Sequence, residues 1–273
     1  MSGAKISVNG RLLTTDAMPD ICQMMQGCYV YAAVNTDAHR PLYLDRHMAY
    51  AASSYEKLYG TRPEYDLLQL HDNITELLDA ERMPRLGNIV FIYLLPPADP
   101  KHPADIVAAT GHSTIYKGYE LASLRPKAIL TNYELPFAGH RTAVSLAASN
   151  YMRDFAERSG CHIALHCNRA ERLVSCGDYP IFIAINGMLY TPPSILMPPC
   201  TERELMARAC DMAGISIEER DITADMLPDA EEIMVFDHTG LRSVLSLGNC
   251  FYYNLLAKRL EAAMPALNAD GLL

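Results

Sequence analysis

The sequence predicts an α+β fold in two domains, on three observations. Strand-like runs are numerous, neither half alternates strands and helices regularly, and the texture of the chain changes between about residues 115 and 125. A length of 273 residues suits one large or two modest domains. The expected division is 1–118 for an N-terminal α+β domain, 119–123 for a linker and 124–273 for a C-terminal domain.

The elements follow in order. Ile6-Ser7-Val8 and Arg11-Leu12-Leu13 flank Asn9-Gly10, a dipeptide suited to the positive φ of a two-residue hairpin turn. Cys28–Val34 is rich in β-branched and aromatic residues and reads as a strand. Two helical stretches come next. One places Met48, Ala52, Tyr55 and Leu58 on a stripe, and the other Leu67, Leu70, Ile74 and Leu77, predicting helices near 46–58 and 64–80. Asn88–Leu95 is a buried strand. Pro96, Pro97, Pro100 and Pro103 then make a stiff loop that no regular element can cross. A further extended run, Ile106–Thr110, closes the first half.

In the second half a long helix over 141–159 ends at Gly160, a residue suited to a left-handed cap. The run from Cys161 to Cys167 reads as a half-exposed strand with His162 and His166 on one face. Ile181–Pro193 is a hairpin around Asn186-Gly187. Thr201 and Glu204 have the spacing of a capping box, and Gly214 closes that helix. Glu231–Gly240 is a strand running into a loop, and Tyr252–Met264 an amphipathic helix.

Composition narrows the function. The net charge is −9 with no basic block, so a nucleic-acid partner is not expected. No apolar run approaches the length of a membrane helix, and the first residues lack a signal peptide's pattern, so a cytoplasmic protein is expected. The eight cysteines lie far apart and read as reduced thiols. Cys161, His162, His166 and Cys167 are the nearest thing to a metal cluster. No second pair with zinc-site spacing accompanies them, so no metal is expected. Gly-rich nucleotide loops and the Gly-x-Ser-x-Gly elbow are absent. Sixteen tyrosines suit an aromatic-lined pocket or subunit interface.

The order of motifs goes further. VNGRL, a strand, LDRH opening a helix, a long helix, LVSCG, IFIAINGMLYTPP, MPPCTERELMARACDMAG and AEEIMVFDHTG together resemble the class IV aminotransferases. These are the fold-type IV pyridoxal phosphate enzymes, among them branched-chain and D-amino acid aminotransferases and aminodeoxychorismate lyase. The resemblance covers nearly the whole chain. It implies a two-domain D-amino acid aminotransferase-like architecture with a C-terminal pseudo-barrel, a homodimer, and pyridoxal phosphate in a cleft between the domains.

Three chemical residues of that family have counterpart positions here, and all three are changed. The Schiff-base lysine falls at Arg141, in HRT, and the glutamate facing the pyridine nitrogen falls at Cys176, in VSCG. The phosphate arginine, three residues after a helix-opening histidine, falls at Tyr50 after His47. The Pro-Gly turn before the capped helix is Pro198-Pro199, while the Thr-Gly loop persists as Thr239-Gly240. A guanidinium cannot form a Schiff base, and a thiol is a weak partner for a pyridinium proton. The expectation is a degenerate family member that binds a small anionic ligand in the cleft. Tyr50, Arg141, Cys176, Tyr179, Thr239, Gly240 and Arg242 are the candidate ligand residues. Two alternatives stay open: an active enzyme using Lys117 or Lys127 as a relocated amine, and Cys176 as a nucleophile with His140 or His166 as base.

Overall fold

The computed structural model describes residues 5–14, 27–97 and 104–272. Cys22, Pro100 and Pro103, and with the two prolines most of the expected stiff loop, lie outside the described residues. The chain divides into two compact units. One comprises residues up to Gly118 together with Arg141–Ala143 and the segment from Asn268; the other comprises Tyr119–His140 and Val144–Leu267.

The first unit is an antiparallel sheet with two helices packed on it. Its strands are β1 (Lys5–Val8), β2 (Arg11–Thr14), β3 (Val30–Asp37), β4 (Arg40–Pro41), β5 (Asn88–Leu94) and β6 (Ile106–Ser113). They lie in the order β2-β1-β6-β5-β3-β4. Asn9 and Gly10 take φ of 48° and 80° at the β1–β2 turn, as the dipeptide predicts. The helices are α1 (Leu44–Tyr59) and α2 (Leu67–Ala80). Asp66 starts α2 by accepting hydrogen bonds from the N–H groups of Leu68 and Gln69. Met48 and Tyr55 of α1 and Leu70, Ile74 and Leu77 of α2 pack on Val30, Val34, Val90 and Ile92 of β3 and β5. Each large side chain fully buried in this way contributes about 1.5–3 kcal/mol. The Arg141–Ala143 segment runs beside the start of β3: Tyr31 N–H donates to the Arg141 carbonyl and Ala143 N–H to the Tyr29 carbonyl.

The second unit holds two sheets. Its elements are β7 (Glu120–Leu121), β8 (Lys127–Asn132), α3 (Ala143–Arg158), β9 (Ile163–Cys167), β10 (Leu173–Ser175), β11 (Ile181–Ile185) and β12 (Met188–Thr191). There follow α4 (Thr201–Ala213), β13 (Ile217–Glu219), β14 (Glu232–Asp237), β15 (Gly240–Ser243), β16 (Ser246–Leu247) and β17 (Cys250–Phe251). The last two helices are α5 (Leu255–Glu261) and α6 (Met264–Asp270). One sheet runs β10-β9-β8-β16-β17 and the other β13-β12-β11-β14-β15-β7. Leu165 and Cys167 from the first meet Ile181, Ile183, Ile233 and Val235 from the second in one core.

Three local expectations are corrected. Thr201 does not cap α4. The capping position is Cys200, with no side-chain cap, and Thr201 sits one residue inside the helix, where its hydroxyl cannot reach the exposed N–H groups. The C-terminal helix does not run unbroken from Tyr252. It starts at Leu255 and is interrupted after Glu261, and a new helix takes Pro265 into its first turn, where a missing N–H costs nothing. Strand β9 is not half-exposed: its residues are buried from Ala164 to Cys167. His162 lies just outside it, with Nδ1 accepting from the Lys127 N–H.

Gly240 is the tightest backbone position in the second unit. It has φ of +128°, and a β-carbon there would lie 2.2 Å from the Glu120 carbonyl oxygen of the neighbouring strand. Gly240→Ala is therefore expected to destabilise the protein by roughly 3 kcal/mol, combining positive-φ strain with separation of β7 from β15. Urea unfolding measures this, and a loss below about 1 kcal/mol would contradict the close approach.

Candidate functional site

Two connections in the second unit carry the chemical side chains. The first is the turn between β10 and β11. Cys176 and Tyr179 exchange backbone hydrogen bonds of 3.0 and 3.2 Å, closing a tight loop through Gly177 at φ +60°. Asp178, in the middle of the loop, is buried and accepts a 2.8 Å hydrogen bond from Ser145 Oγ on α3. Burial pushes the Cys176 thiol up to about 12, the Asp237 carboxylate pushes the same way, and Arg242 offsets part of the effect.

The second connection joins β14 to β15. Asp237 ends the strand, and its Oδ1 accepts from the Thr239 backbone N–H at 2.7 Å and from Thr239 Oγ1 at 2.5 Å. Its other oxygen pairs with Arg242 Nε at 2.9 Å, while Arg242 donates from Nη2 to Thr239 Oγ1 at 3.0 Å. A carboxylate thus fills the concave side of the loop and engages donors that could otherwise hold an external anion. Next to it, Tyr179 Oη and His238 Nδ1 lie 2.5 Å apart in a hydrogen bond. Cys176, Tyr179, Thr239, Gly240 and Arg242 therefore come together around Asp237, where Thr239 directs both donors to the Asp237 carboxylate and Arg242 is ion-paired to it.

A polar layer follows from the same turn. His166 of β9 donates from Nε2 to the Tyr133 carbonyl at 2.8 Å and stacks on the Tyr133 ring at 3.8 Å between centroids. That bond fixes the tautomer, so Nδ1 carries the lone pair; it is buried and has no hydrogen-bond partner among the described residues. Burial lowers the His166 pKa, against the opposing pull of Glu134 and Asp178. Burial also raises the Tyr133 phenol well above its ordinary range. Among the described residues, no group of three His, Cys, Asp or Glu side chains converges to hold a metal ion.

The remaining candidates belong to the first unit. Tyr50 is half-buried on α1, one turn beyond Arg46, whose guanidinium lies 5.8 Å over the Tyr43 ring. Arg141 is 7% exposed in its segment beside β3. The chain has six lysines, and none of those described is buried: Lys57, Lys117, Lys127 and Lys258 are exposed and Lys5 is half-exposed. Lys101 lies outside the described residues.

Sequence reasoning missed Asp237, Asp178, Ser145 and Tyr133. The signal for Asp237 was present in Asp-His-Thr-Gly, an acid two residues before a threonine, which is the spacing of an Asx turn. Nothing local in the sequence marks Ser145 or Tyr133, whose partners lie 33 residues away.

The profile of the family described as amino-transferase class IV matches residues 30–246. Comparison with curated proteins gives no match. Among solved structures, a branched-chain amino acid aminotransferase from Escherichia coli superposes with a TM-score of 0.79 at 15% identity, over 100% of this chain and 96% of that one. A putative 4-amino-4-deoxychorismate lyase from Legionella pneumophila gives 0.75 at 16%, over 90% of this chain and 93% of that one. A hypothetical aminotransferase from Mycobacterium tuberculosis, in an alpha-ketoglutarate and PMP bound form, gives 0.80 at 14%, over 98% and 99%. At these identities the likeness to the solved structures is one of fold.

Two outcomes follow from the geometry. With a thiol pKa of about 12, Cys176 exposes on the order of one thiolate in ten thousand at pH 8, so iodoacetamide should alkylate the half-buried Cys161 and Cys250 first. Asp237→Asn should shift the pH profile of Cys176 alkylation to lower pH, and peptide mass mapping reads both effects. The depressed His166 pKa sets a stability window. The unfolded chain takes up a proton near pH 6.5 while folded His166 stays neutral, so stability is full above 6.5 and falls as the pH drops toward the folded value. Urea midpoints at pH 7.5 and 5.5 should differ less in His166→Gln than in the parent protein.

Proposed function

The chain belongs to the class IV aminotransferase family, and from that premise we propose that it has lost Schiff-base chemistry and holds a small anionic ligand without a covalent bond. One observation carries the reading: every described lysine is exposed or half-exposed, while the position that resemblance assigns to the Schiff-base lysine is the buried Arg141. An amine that forms an internal aldimine must lie in the site it serves, and a guanidinium is no substitute. Lys117 and Lys127, the candidates for a relocated amine, are both exposed.

The residues do not fit pyridoxal phosphate. Cys176 stays a thiol to about pH 12 and offers a pyridine nitrogen no negative partner. Asp237 engages both Thr239 donors and pairs with Arg242, so a phosphate at this loop would have to displace a carboxylate or lie beside it. Tyr50 supplies no positive charge. No step of a reaction is therefore assigned to the cofactor. The same thiol pKa opposes Cys176 as a nucleophile.

What remains is recognition of an anion by Arg141. Its planar fork suits a carboxylate, and burial strengthens a charge-assisted pair. In this reading the Thr239 loop keeps its internal partner and is structural.

The test has two arms. Protein incubated with pyridoxal phosphate, freed of excess by gel filtration and then reduced with borohydride should carry only sub-stoichiometric pyridoxyl scattered over its exposed lysines by mass spectrometry; a stoichiometric adduct at one lysine would falsify the degenerate reading. Titration with 2-oxoglutarate, chosen because a protein of this fold is solved with that ligand, should show heat of binding that Arg141→Ala weakens by about tenfold or more. Binding that Arg141→Ala leaves unchanged would remove Arg141 as the anchor.

A further inference from the structure

A cavity of about 340 Å³ lies in the first unit, lined by residues of β1, the β1–β2 turn, the approach to α2, α2 itself and the entry to β6. It shares no residue with the cluster around Asp237 and its assignment does not depend on the proposed function. Its lining mixes polar and apolar residues. Glu64, Asp66 and Asp105 supply three carboxylates, and Leu70, Ile106 and Ala108 supply an apolar floor. Among the described residues the lining contains no lysine, arginine or histidine.

The carboxylates are only partly used. Asp66 Oδ1 accepts from the Leu68 and Gln69 N–H groups, and Asp105 Oδ1 accepts from Asn9 Nδ2 at 2.8 Å. Glu64 has neither a hydrogen bond nor an ion pair among the described residues, and Asp105 has no ion pair there. A second observation is independent of the acids. Ser7 is 3% exposed on β1, it lines the cavity, and its hydroxyl has no hydrogen-bond partner among the described residues. Its place in the register is opposite Ala108, another lining residue, so the hydroxyl stands on the cavity side of the sheet. A hydroxyl so deeply placed and left unmatched invites a ligand donor.

These features select the ligand chemistry. The carboxylates attract positive charge, and no described lining residue is a base that opposes them. They do not converge on a point, since no described trio of His, Cys, Asp or Glu could hold a metal ion. A compact divalent cation therefore fits poorly, whereas a chain with ammonium groups spaced along it meets the acids one by one. The apolar floor suits the methylene segments between them. We propose that this cavity binds a linear aliphatic polyamine, with Glu64 and Asp105 each facing an ammonium group and Ser7 Oγ accepting from one.

Isothermal titration of the full-length protein with spermidine tests the assignment. The expected result is saturable one-site binding that weakens about tenfold or more between 50 and 500 mM salt. Glu64→Gln is expected to weaken it about threefold, and Glu64→Gln with Asp105→Asn about tenfold. Ser7→Ala should weaken it about threefold. Glu157→Gln on α3, in the other unit, should leave it unchanged. Because Glu64 is exposed, its variant keeps the fold, and circular dichroism verifies this for each protein. No binding at millimolar spermidine overturns the proposal. So does binding that ignores the Glu64 and Asp105 substitutions, or a preference for magnesium ions over spermidine at the same residues.

Discussion

The Asp237 carboxylate governs the chemistry of the second unit. A loop that ends a strand with several N–H and hydroxyl donors aimed inward has a local positive potential. In this chain that potential is neutralised from within. Asp237 accepts from Thr239 twice and pairs with Arg242, and its field reaches the Cys176 thiol in the adjacent turn. One side chain thereby ties two connections into a single electrostatic unit.

The layer beneath α3 obeys a different constraint. Ser145, His166, Ser175 and Asp178 are all buried there, and of α3 itself only Ser145 and Ala156 are buried. Helix packing usually draws on an apolar stripe; here the Ser145–Asp178 hydrogen bond adds about 1 kcal/mol to a short buried face. The unmatched His166 Nδ1 subtracts from that gain. Of the two sides of the β10-β9-β8 sheet, the one shared with the other sheet is apolar and tightly cored, while the polar layer has little hydrophobic reserve.

Much of the fold was legible from local chemistry. Asn9-Gly10 and Asn186-Gly187 announced their hairpins because few other dipeptides tolerate two successive positive φ angles. The stripes on α1 and α2 were legible because burial imposes the helical period. Legibility failed where two local rules competed. Thr201 and Glu204 matched a capping pattern, yet the chain entered the helix one residue earlier, at Cys200. The C-terminal segment kept its amphipathic pattern across a break that Pro265 makes tolerable. The candidate site was half legible. Resemblance pointed to Cys176, Tyr179 and Thr239, which do gather in one place. It could not reveal that Asp237 engages Thr239 and Arg242, because that depends on side-chain geometry across the β14–β15 connection.

The division of the chain into units carries a consequence for biosynthesis. Arg141–Ala143 and the segment from Asn268 belong to the first unit although the residues between them belong to the second. The Tyr43 N–H donates to the Gly271 carbonyl, and Leu42 bridges to Leu272. The first unit therefore cannot close until the segment from Asn268 has been synthesised. Neither unit corresponds to a continuous stretch of message, so no single cut yields two complete halves. The residues that lead into α1, Leu42 and Tyr43, find these backbone partners only when Gly271 and Leu272 reach them.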